Sequence, residues 1–137
     1  MNWMLEVVML PIADIDRAKS FYMEKAGFTL DVDHRAGEDF RVVQLTPPGS
    51  ACSIVLMKTE MVPGSLKGLQ LVVSDIDEAR AQLVGRGVDV SEVFHFAAGG
   101  QAVGYEPQRA DYGTFISFSD PDGNHWMVQE VPSRAHA

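Results

Sequence analysis

The side chains best able to move a proton near neutral pH are four histidines, His34, His95, His125 and His136. His95 and His125 sit in strand-like surroundings, Phe94-His95-Phe96 and His125-Trp126-Met127-Val128. Either suits the acid or base of a metal-independent isomerase or lyase, with Asp111 and Tyr112 behind them. A lone strand histidine has an equally available structural role, so both readings stay open. No second histidine lies at short ligand spacing from His125. Cys52 and Ser53 have no basic partner nearby in sequence, so no Ser-His-Asp or Cys-His constellation is identifiable. There is also no phosphate loop and no dinucleotide fingerprint, and Gly99-Gly100 marks only a flexible spot.

The elements that must position these residues come from an internal repeat. Leu10-Pro11-Ile12-Ala13-Asp14-Ile15-Asp16-Arg17-Ala18 recurs as Leu71-Val72-Val73-Ser74-Asp75-Ile76-Asp77-Glu78-Ala79. Each copy follows an apolar strand candidate, Leu5–Leu10 or Leu69–Val73, and begins a helix. Asp14 and Asp75 are N-caps, because a carboxylate accepts the free amide protons of the first turn. Asp16, Asp77 and Glu78 add negative charge at the positive end of the helix dipole. Ile15, Ala18, Tyr22 and Ala26 make one apolar face, and Ile76, Ala79 and Leu83 make its counterpart. Gly27 and Gly87 supply the stops.

Strand candidates follow each helix. They are Phe28–Val32, Phe40–Leu45 and Ser53–Met57 in the first half, then Val88–Phe94, Thr114–Ser119 and His125–Val131 in the second. Asp120-Pro121-Asp122-Gly123-Asn124 is a strong turn signal between the last two. The expected order is strand, helix and three strands, twice over, in a single domain spanning 1–137 with modules at 1–60 and 66–131. Residues Phe96 to Gly113 read as one long loop, and such loops are often lids or binding loops. A tolerated insertion has the same signature.

Composition narrows the function classes. Apolar residues make up 46% of the 137, enough for a real core, and the net charge is −8. An acidic chain is a poor partner for a phosphate backbone, so nucleic acid is not expected. No run of about eighteen apolar residues is present, so no membrane span is expected. The start, Met1-Asn2-Trp3-Met4-Leu5-Glu6, lacks a signal-peptide pattern, and the single cysteine excludes an internal disulfide. Both fit a cytoplasmic protein, with Cys52 read as a small buried hydrophobe.

A repeated βαβββ unit with apolar-Asp-aliphatic-Asp-x-Ala at each helix start resembles the vicinal oxygen chelate superfamily, the glyoxalase/bleomycin-resistance group. The likeness is carried by Leu10–Tyr22 with Gly27-Phe28, by Leu69–Val90, and by Ser119-Asp120-Pro121-Asp122-Gly123-Asn124 before an apolar strand. It covers about residues 4–131. It implies an α+β fold in which the two modules form an open, cupped barrel-like sheet with helices outside. It also implies a homodimer and a ligand held on the inner strand faces.

Enzymes of that family hold a divalent metal through His and Glu on those strands. Carried over by the family's spacing, the ligand positions are Val7, Gly68, Met127 and a place near Val55. None offers an oxygen or nitrogen donor, and a Met thioether is poorly suited to Mg, Mn, Zn or Fe in such a site. The resemblance therefore implies no metal and no cofactor here. Glu6 neighbours Val7 and is expected on the opposite face by strand alternation. The inner wall becomes Leu5, Val7 and Met9; Ser53, Val55 and Met57; Gly68, Gln70 and Val72; and His125, Met127 and Gln129. The aromatics Phe94, Phe96, Tyr105, Tyr112 and Phe115 near the long loop can close over a flat ligand or simply anchor that loop. Trp126 is expected in the core, and Trp3 at an interface.

Three functions compete. The first is sequestration of a small organic molecule, such as an antibiotic or toxin, at Val7, Met9, Ser53, Val55, Met57, Gln70, Tyr112, His125, Met127 and Gln129. The second is a metal-independent enzyme using His125 or His95. The third is a metal-dependent lyase or dioxygenase with atypical ligands. A wall of these side chains also has a plain alternative, a filled core.

Overall fold

Asp14 and Asp75 start the two α-helices in the way their side chains dictate. Asp14 accepts from the Arg17 amide at 3.1 Å, and Asp75 accepts from the Asp77 and Glu78 amides at 3.0 and 3.2 Å. These helices are α1, Ile15–Ser20, and α2, Ile76–Gly85, in a computed structural model that describes residues 1–136. A π-helical stretch, Phe21–Lys25, continues α1. The expected apolar faces are present: Ala18, Tyr22, Ile76 and Leu83 are buried, with Ile15, Ala26 and Ala79 half-buried. Gly27 and Gly87 both have positive φ, 79° and 84°, as helix-ending glycines do.

The chain forms two compact units. The first comprises Met1–Lys67 together with Asp120–Asn124, and the second Gly68–Ser119 with the chain from His125 onward. The fold is α+β. The first unit holds β1 (Val7–Leu10), β2 (Thr29–Ala36), β3 (Phe40–Thr46) and β4 (Ser53–Leu56), in sheet order β1-β4-β3-β2. The second holds β5 (Leu69–Val73), β6 (Phe94–Ala97), β7 (Gly100–Val103), β8 (Thr114–Ser119) and β9 (His125–Glu130), in order β5-β9-β8-β6-β7. In each sheet the first strand pairs parallel with the last strand of its module and the other pairs are antiparallel. Among the described residues neither sheet closes on itself.

The second half departs from the expected rhythm in two places. The stretch read as a loop from Phe96 begins with a hairpin, because Ala97 pairs with Gly100 and leaves Ala98-Gly99 as a two-residue turn. That adds β7 and shortens the loop to residues 104–113. The strand expected over Val88–Phe94 starts only at Phe94. Before it, Ser91 replaces the ladder: its amide donates to the Ser117 carbonyl and its Oγ accepts from the Ser117 amide, both at 2.9 Å. Cys52 also departs from expectation, being half-buried in the turn before β4 rather than buried in a strand. Trp126 is core as expected, 2% exposed and stacked on Phe118.

Residues Asp120–Asn124 belong to the first unit through a dense set of buried bonds. Asp120 Oδ1 accepts from the amides of Asp122, Gly123 and Asn124. Its Oδ2 accepts from the Tyr22 hydroxyl at 2.7 Å and from Asn124 Nδ2 at 2.8 Å. Asn124, fully buried, also donates to the Pro11 carbonyl and accepts from the Leu66 amide. Asp122 Oδ1 receives the Ala13 amide and the Arg17 guanidinium. Gly64 lies so close that a Cβ there would stand 1.9 Å from the Asp122 carbonyl oxygen. Removing the Tyr22 hydroxyl or the Asn124 side-chain amide leaves buried acceptors short of a hydrogen bond. Tyr22→Phe is expected to cost about 1–3 kcal/mol of unfolding free energy, read from the denaturant midpoint. An unchanged midpoint would show the bond to Asp120 to be idle.

A second charged cluster ties α1 to β2 and β3. Arg41 donates to both oxygens of Asp33 at 3.0 Å and to Asp16 at 2.7 Å, and Lys19 donates to Asp33 at 2.7 Å. The Arg41 and Lys19 hydrogen bonds hold the Asp33 carboxyl well below the ordinary carboxylate range. A depressed folded-state value stabilises above the unfolded value of about 3.9 and is lost as pH falls through the folded one. Asp33→Asn is therefore expected to lower the Tm at neutral pH and to flatten its fall below about pH 4. Parallel acid limbs for the two proteins would contradict this.

Candidate functional site

Ladder register decides which side chains share a face. In the first unit Val7 pairs with Ser53, Met9 with Val55, and Gln44 with Val55. These residues form one face of the sheet, while the alternate residues Leu10, Val43, Leu45, Ile54 and Leu56 are buried core. Val7 and Met9 are 36% and 42% exposed, an open apolar strip beside the buried Ser53 and Val55. Met57 lies past the end of β4 and lines a different concavity, of about 390 Å³, with Ile15, Phe40 and Arg41.

The Ser53 end of this face is polar. A bulge between Leu30 and Val32 leaves Asp31 without a ladder partner. Its carboxylate accepts from the Thr46 hydroxyl, and Thr46 Oγ1 in turn lies 2.6 Å from Ser53 Oγ. Asp31, Gln44, Thr46 and Ser53 line a concavity of about 450 Å³. Glu6 lines it too. Alternation does not govern that residue, because β1 begins only at Val7.

In the second unit Gln70 pairs with Met127 and Val72 with Gln129, while Phe115, Ser117 and Ser119 oppose Gln129, Met127 and His125. The open face therefore carries Gln70, Val72, His125, Met127 and Gln129, extended by Phe115 and its partner Phe94. Phe94, Phe96 and Phe115 pack on one another with ring centroids 5.3–5.9 Å apart. His125 is half-buried with Nδ1 3.3 Å from Ser119 Oγ. His95 pairs with Thr114, on the opposite face, and its Nδ1 sits 2.8 Å from the Gly104 carbonyl. The pleat thus separates the two histidines proposed from sequence, and His95 is turned away from the open face. Asp111 accepts from the Ser133 amide at 3.0 Å, and hydrogen bonding from the Ser133 side chain, then from its backbone, holds the carboxyl below its ordinary value.

The loop over residues 104–113 borders this face and is pinned at both ends. Gln70 Nε2 donates to Gln129 Oε1 at 2.7 Å, and Gln129 Nε2 donates to the Tyr112 carbonyl at 2.9 Å. Arg109 reaches the buried Glu130, with Nη2 at 2.6 Å, and its guanidinium stacks 4.5 Å over the Tyr105 ring. Tyr105 donates to Asp77 at 2.5 Å, a bond that raises the phenol pKa. Glu130 also accepts from the Ile76 amide, at 2.8 Å. Arg109 and Tyr112 adopt positive φ, 48° and 69°, at about 1–2 kcal/mol each, so these contacts hold the backbone in a conformation it does not prefer.

Among the described residues no group of three or more His, Cys, Asp or Glu side chains converges as a metal site. The positions implied for the family's metal carry Val7, Val55 and Met127 on the open faces and Gly68 just before β5, where a Cβ would meet open space. This donor set does not fit a divalent ion. Among the described residues no helix is long and apolar enough to cross a membrane.

Residues 4–128 match the family model described as the Glyoxalase/Bleomycin resistance protein/Dioxygenase superfamily. The chain belongs to this superfamily. Its fold is similar to that of TnmS3, an antibiotic binding protein from Streptomyces sp. CB03234, at 32% identity and a TM-score of 0.75, covering 95% of this chain and 97% of that one. A glyoxalase/bleomycin resistance protein from the same organism is 34% identical, with a TM-score of 0.71, covering 93% and 100%. The protein YetH of Bacillus subtilis (strain 168) is 27% identical over 124 residues, 90% of this superfamily member and 94% of YetH.

Arg109→Ala is expected to strand the Glu130 carboxylate, which is 1% exposed. A broken buried pair costs about 3–5 kcal/mol. Because the guanidinium is 42% exposed, the expected loss is nearer 2 kcal/mol. Hydrogen exchange in residues 104–113 should rise with it. Stability within experimental error of the parent would remove the clamp from the account.

Proposed function

We infer that this chain binds a small organic molecule on the open faces of its sheets and sequesters it without metal chemistry. The observation that carries this reading is the chemistry of Val7, Val55 and Met127, apolar side chains on open strand faces at positions where the family's enzymes carry ligands. In the first unit Ser53 stands beside Val7 and Val55, and in the second Gln70 and Gln129 stand beside Met127, placed polar groups of the kind small-molecule sites use. Met9 and Met127 adapt to irregular shapes, and the Phe94, Phe96 and Phe115 cluster suits a flat ring system. Similarity to an antibiotic binding protein favours the same ligand class here. The protein is taken to act in the cytoplasm as a homodimer, without nucleic acid or membrane partners.

A second reading, metal-independent catalysis, retains one support: His125 stands on the open face. A thermal-shift panel of bleomycin, doxorubicin and tetracycline separates the outcomes. Binding of at least one is expected to raise the Tm by about 10 °C near a hundred-fold excess over Kd, to weaken in Met127→Asp, and to return the compound chemically intact. Metal content below about 0.1 equivalent is expected after chelator-free purification. No shift with any compound would defeat the sequestration reading. A converted compound, with conversion lost in His125→Ala, would replace it by the catalytic one.

A further inference from the structure

The polar end of the first unit's open face contains a hydrogen-bond relay whose proton positions follow from its members. Asp31 as a carboxylate can only accept, so the Thr46 hydroxyl spends its proton on Asp31. The 2.6 Å contact between Thr46 Oγ1 and Ser53 Oγ then needs its proton from Ser53. A serine hydroxyl has one proton, so Ser53 is left with lone pairs alone for any third partner. Ser53 is 5% exposed and lines the concavity of about 450 Å³ that Asp31, Gln44 and Thr46 also line. Its place on the strand beside Val7 puts it next to the open apolar strip.

We propose that Ser53 is an obligate acceptor in ligand binding, so that the ligand of this site presents a hydrogen-bond donor such as a hydroxyl to Ser53 Oγ. The proposal rests on the binding reading above and adds a specificity to it. Asp31 and Thr46 are positioning residues, which set the direction of the Ser53 proton without touching the ligand. An ether or carbonyl oxygen at the same place would meet lone pairs on Ser53 and would leave its own acceptor unpaired, a penalty that discriminates more strongly than lost contact area.

A matched pair of probes tests this: 2-naphthol, which can donate, and 2-methoxynaphthalene, which cannot. Affinities are measured by NMR titration of the full-length protein at millimolar probe. The wild type is expected to bind 2-naphthol about fivefold or more tighter than the ether. Thr46→Val, which frees the Ser53 proton, is expected to abolish that preference while Thr46→Ser keeps it. Equal binding of the two probes, or a preference that survives Thr46→Val, overturns the relay and leaves the binding reading standing. Binding of neither naphthalene counts against both. Neutron diffraction supplies a readout independent of affinity: the Ser53 deuteron is expected on the line to Thr46 Oγ1, and a deuteron turned into the concavity overturns the proposal.

Discussion

Much of this structure depends on one carboxylate, that of Asp120. Its two oxygens accept five hydrogen bonds, three from the amides of its own turn, one from Asn124 and one from the Tyr22 phenol. Asn124 carries the network on to Pro11 and Leu66, and Asp122 carries it to the approach and first turn of α1. The first helix is short, so its position owes more to these contacts than to helix propensity. The bonds of Asp120 and Asn124 favour one arrangement, because breaking them leaves buried groups unpaired, although Asp122 Oδ2 is itself buried without a hydrogen-bond partner.

With the helices fixed, register does the rest of the positioning. A strand has only two faces, and the buried face is claimed by Leu10, Val43, Leu45, Ile54 and Leu56 in one unit and by Trp126, Val128 and Ile116 in the other. What is left for the open face is an arithmetic remainder: Val7, Met9, Ser53 and Val55 in the first unit, Gln70, His125, Met127 and Gln129 in the second. The same remainder sends His95 away, one ladder step from Phe94 and Phe96 on the aromatic side.

What the sequence disclosed was whatever local chemistry writes into neighbouring residues. The caps at Asp14 and Asp75, the glycine stops and the Asp-Pro-Asp-Gly turn were all readable, because each depends on spacing within a few residues. The β6–β7 hairpin was missed although Gly99-Gly100 is a turn signal, since too little alternation flanked it. The face of His95 needed the pairing with Thr114, a partner nineteen positions on. The Asp31 relay needed a bulge, which aims a side chain by breaking the very alternation from which faces are read. The Asp120 turn was recognised as a turn, but the bonds that make it a hub come from residues more than fifty positions away.

That placement of the turn has a consequence for how the chain is made. The first unit takes residues Asp120–Asn124 as part of itself, although the rest of it ends at Lys67. The phenol of Tyr22 and the carbonyl of Pro11 meet their partners only once residues Asp120–Asn124 exist, so completing the first unit draws on chain more than fifty residues beyond Lys67. The two halves repeat one pattern, but this loan of five residues means that residues 1–67 alone lack part of the first unit.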